Sequence, residues 1–328
     1  MSYAEVAFCA TGIYFFYLYY GVLQERIFKP EADGDKFIFT SFLLSVQCVF
    51  NLSLGYLGVR LTGGKGVTKP ISKTADTFPF KGVSITGGTW LRLISLSYLA
   101  AMACSNEALQ HVSYPFQALA KSCKMVPVMI ASVLIGGAHY SYLEYLAVAC
   151  ITTGVILFQF AKSSNTNFSD GNSSFGMGLL FTSLCLDGFT SSNQKLFGKE
   201  FKPSGHYMMY QMNLWSVVYL LPLLLFSGEA FLAVDYVMTH PDLLYDVIQF
   251  SICSALGQQF IFFCVVGPGP LVCTTITTTR KFFTVLLSIV MFPENKLNIF
   301  QWGSVALVFS GLGIELIREM FHSKKKTE

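Results

Sequence analysis

Five basic side chains lie inside stretches of sequence that are otherwise apolar: Arg92, Lys121, Lys124, Arg280 and Lys281. A Lys or Arg in mid-bilayer costs roughly 2.5–3.5 kcal/mol on the insertion scale. Arg92 falls near one end of its stretch, where a long side chain can reach the interface. The other four sit centrally, two in each of two stretches, for a combined cost of about 10–14 kcal/mol. Such charges call for a water-filled cavity and anionic partners. Gln117, Lys121 and Lys124 recur at i, i+4 and i+7, one stripe of a helix. Cys273, Thr277, Arg280 and Thr284 form a second stripe, with Thr277, Lys281 and Ser288 beside it, and the Thr274–Thr279 run is a hydroxyl-rich approach. Candidate acids are few: Asp187 in mid-stretch, and Glu25 and Glu107 at stretch ends. One central carboxylate against four cations leaves a positive site, so the expected ligand is a polyanion. A di- or triphosphate suits it, with Arg offering a bidentate fork and Lys a compact charge. Asp187 either pairs with a base or serves a proton or gating role. Asn106, Gln110, Asn213, Gln258 and Gln259 either read a base or sugar or bridge helices.

The elements that must hold these residues follow from composition. Of 328 residues, 53% are hydrophobic and 12% charged, about half the charge of a soluble domain. Those figures exclude disorder, collagen and coiled coil and leave a polytopic membrane protein. The net charge of +3 gives no reason to expect nucleic acid as a partner. All nine Cys lie in apolar runs without metal-type or CxxC spacing, and the five His pair with no Cys or Ser. No metal, cofactor or enzymatic activity is expected. Gly63-Gly64-Lys65-Gly66-Val67-Thr68 lacks Walker A spacing and reads as a flexible loop.

Ten spans are expected, near 4–24, 37–58, 87–110, 115–136, 141–161, 175–196, 207–227, 246–266, 270–292 and 298–319. Ser113-Tyr114-Pro115 and Gly267-Pro268-Gly269-Pro270 make tight hairpins between spans three and four and spans eight and nine. With both termini on one side, that side holds twelve Lys and Arg, against Arg26, Lys29, Lys36, Lys162 and Lys296 opposite. The positive-inside rule then predicts cytosolic termini. Sequons at Asn167 and Asn172 fall in a loop expected in the lumen, where glycosylation is possible. The tail ends Lys325-Lys326-Thr327-Glu328, similar to a dilysine retrieval signal read by coat-protein machinery in the cytosol.

An offset of 157 pairs Lys124 with Lys281, Val128 with Val285, Glu144 with Gln301, Val148-Ala149 with Val305-Ala306, and Gly154 with Gly311. Spans four and five therefore match spans nine and ten, giving two five-span repeats of which the second is inverted. The expected organisation is 1–162, a luminal linker 163–174, 175–319, and a cytosolic tail 320–328. Inverted repeats point to a transporter with a midplane site opened alternately to each side.

Tyr19-Tyr20-Gly21-Val22-Leu23-Gln24-Glu25, Ala120-Lys121-Ser122-Cys123-Lys124, Leu184-Cys185-Leu186-Asp187-Gly188 and Ile276-Thr277-Thr278-Thr279-Arg280-Lys281-Phe282-Phe283-Thr284 carry a resemblance. Across nearly the whole chain, dilysine end included, it resembles the endoplasmic-reticulum branch of the nucleotide-sugar transporters, solute carrier family 35, subgroup B. The resemblance implies the drug/metabolite-transporter fold of ten helices in two inverted halves, and antiport of nucleotides across the endoplasmic-reticulum membrane. Members are described as carriers of UDP-galactose or UDP-glucose and as ATP/ADP exchangers. Phosphate contacts would fall on Lys121, Lys124, Arg280 and Lys281, with Glu25 as a gating or adenine-side residue. The expected function is import of nucleotide sugar, ATP or both against luminal UMP or ADP. The alternative is a permease for another phosphorylated metabolite on the same fold.

Overall fold

The computed structural model describes residues 3–29, 37–63, 70–75, 85–124, 126–130, 140–163, 174–266, 270–292, 295 and 297–324. Among them the regular structure is helical, and the single extended pairing is a bridge between Thr74 and Thr86. The helices are α1 (Tyr3–Phe28), α2 (Thr40–Leu61), α3 (Gly87–Ala108), α4 (Tyr114–Ala120), α5 (Tyr142–Ser163) and α6 (Ser174–Phe201). They continue as α7 (Gly205–Phe226), α8 (Glu229–Thr239), α9 (Pro241–Val266), α10 (Pro270–Met291) and α11 (Ile299–Lys324). Among the described residues, six helices are long and apolar enough to cross a membrane: α1, α2, α5, α7, α9 and α11. Large apolar side chains such as Phe160, Phe181 and Phe226 face outward, the surface a lipid solvent requires and water penalises.

Two ends of the bundle are set by contacts between connections. At the near end, Gly58 meets the ring of His206 and Gly87 meets Phe201. Here α2 ends, α3 begins and α6 turns into α7. At the far end, the ring of His111 packs edge-on against Phe175, and Glu229 accepts the backbone N–H groups of Ser41 and Phe42 at the start of α2. That carboxylate satisfies donors that every helix N-terminus leaves free.

Long side-by-side packing joins α1 to α9, α2 to α7, α3 to α6 and α5 to α11. The α5–α11 pair is built from positions 157 apart. A Cβ on Gly154 would lie 2.9 Å from Ser304 O and 2.6 Å from Val308 Cγ2; one on Gly311 would lie 2.8 Å from both Ala147 O and Ile151 Cγ1. Each glycine thus lets the other helix's backbone come close, as membrane helix pairs need. The N-termini match as well: Ser141 N–H donates to Glu144 Oε2 at 2.6 Å, and Asn298 N–H to Gln301 Oε1 at 3.0 Å. Glu144 pairs with Arg318 at one end and Asn298 Nδ2 donates to Ala161 O at the other, so the two helices run antiparallel.

Three features differ from the sequence reading. The fourth span is not one helix: α4 stops at Ala120, Lys121–Lys124 form a 3-10 turn, and helical backbone resumes at 126–130. Pro127 supplies the reason, since it cannot donate to the Cys123 carbonyl and its ring crowds that group. The end of that span, 131–136, lies outside the described residues. The connection between the seventh and eighth spans holds α8, which composition did not single out. The eighth span begins at Pro241 rather than 246.

Candidate functional site

The break in the fourth span sets the geometry of the site. In a 3-10 turn, residues three apart eclipse, so Lys121 and Lys124 project to the same side. Across from them α10 carries Arg280 and Lys281. Lys281 lies in electrostatic range of Arg280, Lys124, Lys121 and the Glu315 carboxylate, and Lys121 in range of Arg280 and Lys124. Asp187 on α6 faces both Lys121 and Lys124. Among the described residues, none of these four bases and neither carboxylate oxygen of Asp187 makes an ion pair within 4.0 Å. The Arg280 guanidinium lies over the Tyr17 ring, 4.8 Å from its centroid, and its buried Nε has no hydrogen-bond acceptor. A cation on a π-face is partly compensated; an N–H without an acceptor is not.

A cavity of about 400 Å³ adjoins this cluster through Lys124 and Asp187. Its lining includes Lys124 and Asp187, Asn213, Gln258 and Phe262, and, from the connection between α6 and α7, Pro203 and Gly205. At the far end Glu25 ties α1 to its neighbours. Glu25 Oε2 accepts from Ser288 Oγ at 2.6 Å, and its other oxygen accepts from Asn295 Nδ2, which also donates to Ser288 Oγ at 2.8 Å. This joins α1, α10 and the segment before α11. One turn earlier Gly21 leaves room for the Tyr114 hydroxyl, which a Cβ there would approach to 2.5 Å.

The sequence-predicted residues divide accordingly. Lys121, Lys124, Arg280, Lys281 and Asp187 come together. Gln258 lines the cavity and accepts the Tyr17 hydroxyl at 3.5 Å. Glu25 belongs to the far-end contact. Gln117 is held elsewhere: its Nε2 donates to Ser105 O at 2.6 Å and to Ser105 Oγ at 3.0 Å, fastening α4 to α3. The stripe read as Gln117, Lys121 and Lys124 is therefore split, because the change of helix type between them breaks the 3.6-residue period. Thr277 Oγ1 bonds back to Cys273 O at 2.8 Å, on its own helix. Asn106 and Gln110 bridge helices, accepting from Gln24 at 2.8 Å and donating to Thr40 at 3.2 Å respectively. Arg92 stacks on Trp215, 4.6 Å from the ring centroid. Asn167, Asn172, Lys325, Lys326 and the loop at 64–69 lie outside the described residues.

Sequence reasoning missed the tyrosines. Tyr17, Tyr20 and Tyr114 all lie in electrostatic range of Arg280. The Tyr17, Tyr20 and Gln24 spacing of i, i+3 and i+7 was the available signal. Among the described residues no group of three or more His, Cys, Asp or Glu is arranged to hold a metal ion.

Comparison with known proteins gives the cavity its context. The UAA transporter family model matches residues 5–318. Solute carrier family 35 member B1 of Gallus gallus is 38% identical over 312 residues, covering 94% of this chain and 90% of its own. The protein of that name from Danio rerio is 39% identical over 327 residues, covering 98% and 93%. A solved crystal structure shares the fold at a TM-score of 0.56 and 10% identity, over 96% of this chain and 97% of that one. An apolar multi-helix bundle with Lys124 and Asp187 on an internal cavity fits a carrier, and the chain belongs to the UAA transporter family.

Proposed function

We propose that the protein is a nucleotide antiporter of the endoplasmic-reticulum membrane, importing nucleotide sugar (UDP-galactose or UDP-glucose), ATP or both against luminal UMP or ADP. One observation carries this reading: four cations gathered inside an apolar bundle, without an ion pair within 4.0 Å among the described residues, one of them, Lys124, on the lining of a cavity. A polyphosphate supplies the missing negative charge, Arg280 through its forked N–H groups and the lysines as point charges. Asp187, beside Lys121 and Lys124, limits the excess of positive charge.

Alternating access follows from the two ends. The cavity is lined by near-end residues Pro203 and Gly205, while Glu25, Ser288 and Asn295 tie α1 to α10 at the far end. In this reading, with the near end cytosolic by the loop charges, the cavity receives cytosolic substrate. Bound phosphates neutralise the bases and let the halves close over them. Closing an empty, dry site around unpaired cations is costly, which makes transport an obligate exchange. The antiparallel α5–α11 pair, with matching glycines and matching N-terminal caps at an offset of 157, supports two inverted five-span repeats. So do the partner sets: α3 lies on α6 and on α7, as α9 lies on α1 and on α2. The dilysine tail would hold the protein in the endoplasmic reticulum through cytosolic coat machinery.

Counterflow into proteoliposomes tests the reading. Purified protein preloaded with ADP or UMP should accumulate labelled ATP or UDP-sugar, and empty liposomes should not. Uptake of a sugar phosphate that free nucleotide fails to inhibit would replace this reading with that of a permease for another phosphorylated metabolite.

A further inference from the structure

Four of the five bases within the spans gather in one cluster; Arg92 stands apart, exposed on the outer surface of the bundle. It lies in the second turn of α3, which begins at the near end. The surface around it is apolar: Leu96, one turn on, and Val218 of α7 are both 47% exposed. The Arg92 guanidinium crosses to α7 and lies over the Trp215 ring, 4.6 Å from its centroid. The Tyr219 hydroxyl, one turn beyond Trp215, donates to Arg92 O at 3.4 Å. Two aromatic side chains of α7 thus hold the same point of α3.

What this base lacks is an anion. Among the described residues no carboxylate lies within 4.0 Å of the guanidinium, and none of its N–H groups has an acceptor. The ring face compensates the charge only in part, and hydrocarbon offers nothing to the five donors. Their planar fork matches the oxygens of a phosphate. Arg92 does not line the transport cavity. On the outer surface the phosphate within reach is that of a lipid headgroup. With no carboxylate beside Arg92 to match the cationic half of a zwitterion, the charge favours a headgroup of net negative charge.

We propose that the outer seam between α3 and α7 binds an anionic phospholipid of the near-end leaflet, Arg92 gripping the headgroup phosphate. Trp215 fixes the guanidinium in place for that contact. The acyl chains run on toward the midplane along Leu96 and Val218. The site lies outside the transport cavity and does not depend on which substrate the cavity takes.

Trp215 reports on its own site. Trp90 is fully buried, and Trp302, 40% exposed on α11, is removed by Trp302→Phe. The full chain with that change is placed in phosphatidylcholine nanodiscs that hold a minor share of brominated phosphatidylserine or, in parallel, brominated phosphatidylcholine. Tryptophan quenching is then read against the brominated share. Selective binding predicts that brominated phosphatidylserine reaches half-maximal quenching at a share about 5-fold lower. Adding Arg92→Gln should make the two lipids equal. Glycerol phosphate in the buffer should leave the preference intact, because the occupant is a lipid. Equal quenching by the two lipids while Arg92 is present overturns the inference without needing a second folded variant. A preference that survives undiminished in Arg92→Gln also overturns it, and assigns the lipid to other near-end bases. A preference erased by glycerol phosphate does the same, and assigns Arg92 to free phosphate.

Discussion

The same offset of 157 residues relates two pairs of helical segments, and the two pairs treat polar groups in opposite ways. Where α5 crosses α11, the glycines admit close backbones, both N-termini are capped, Glu144 meets Arg318 and Asn298 reaches Ala161 O. Where the segment at 114–130 faces α10, Lys121, Lys124, Arg280 and Lys281 gather without an ion pair within 4.0 Å among the described residues. The first pair has the character of a scaffold, with every polar group named above partnered. The second holds more cations than carboxylates, with Asp187 and Glu315 in electrostatic range of its lysines, an excess that the proposed substrate would balance. Satisfied polar groups hold a fold, whereas clustered unsatisfied ones mark what the fold is for.

Changes at either pair should break this contrast in different assays. The largest effect is expected at the bases: Lys124→Ala and Arg280→Ala should each lower nucleotide exchange about 100-fold, the loss of a charge-assisted contact, while the protein remains folded. Retained exchange in both variants would show that these cations do not meet the substrate. Next come the glycines. Gly311→Val should cost about 1–3 kcal/mol or more in thermal or denaturant unfolding, since its side chain would press on the Ala147 carbonyl and Ile151. Glu144→Gln should cost about 1–3 kcal/mol by the same measurement, because Glu144 is 6% exposed and its loss leaves Arg318 without its partner. Smallest is Gln117→Leu, expected to lose about 1 kcal/mol of stability with unchanged apparent affinity for nucleotide. A clear change in substrate affinity there would return Gln117 to the site.

Much of this contrast was legible before any coordinates. Long apolar runs outline the spans, and a Lys or Arg inside one is conspicuous because hydrocarbon tolerates so few. What hydropathy could not supply was local: whether a polar side chain in a span reaches a neighbour or a cavity. Gln117 and Asn213 look alike in sequence, yet one is doubly bonded to Ser105 and the other leaves its carbonyl unmet. The 3-10 turn at Lys121–Lys124 was foreshadowed by Pro127, but a stripe counted at 3.6 residues per turn assumes the helix it is meant to test. Helix α8 escaped notice because eleven mixed residues between two spans are too short to register as either span or loop. The far-end contact joins Glu25 to residues more than 260 positions away, a pairing that no local pattern carries.

The central claim is that the bases of α10 and its partner segment are unpaired in the empty protein and paired by substrate. Thermal unfolding of the purified protein and of Arg280→Leu, each with and without a saturating nucleoside di- or triphosphate, tests it most directly. The account predicts that empty Arg280→Leu unfolds at the same temperature as the parent or higher, and that nucleotide no longer stabilises it. An empty variant that unfolds several degrees lower, yet is still stabilised by nucleotide as much as the parent, would contradict it.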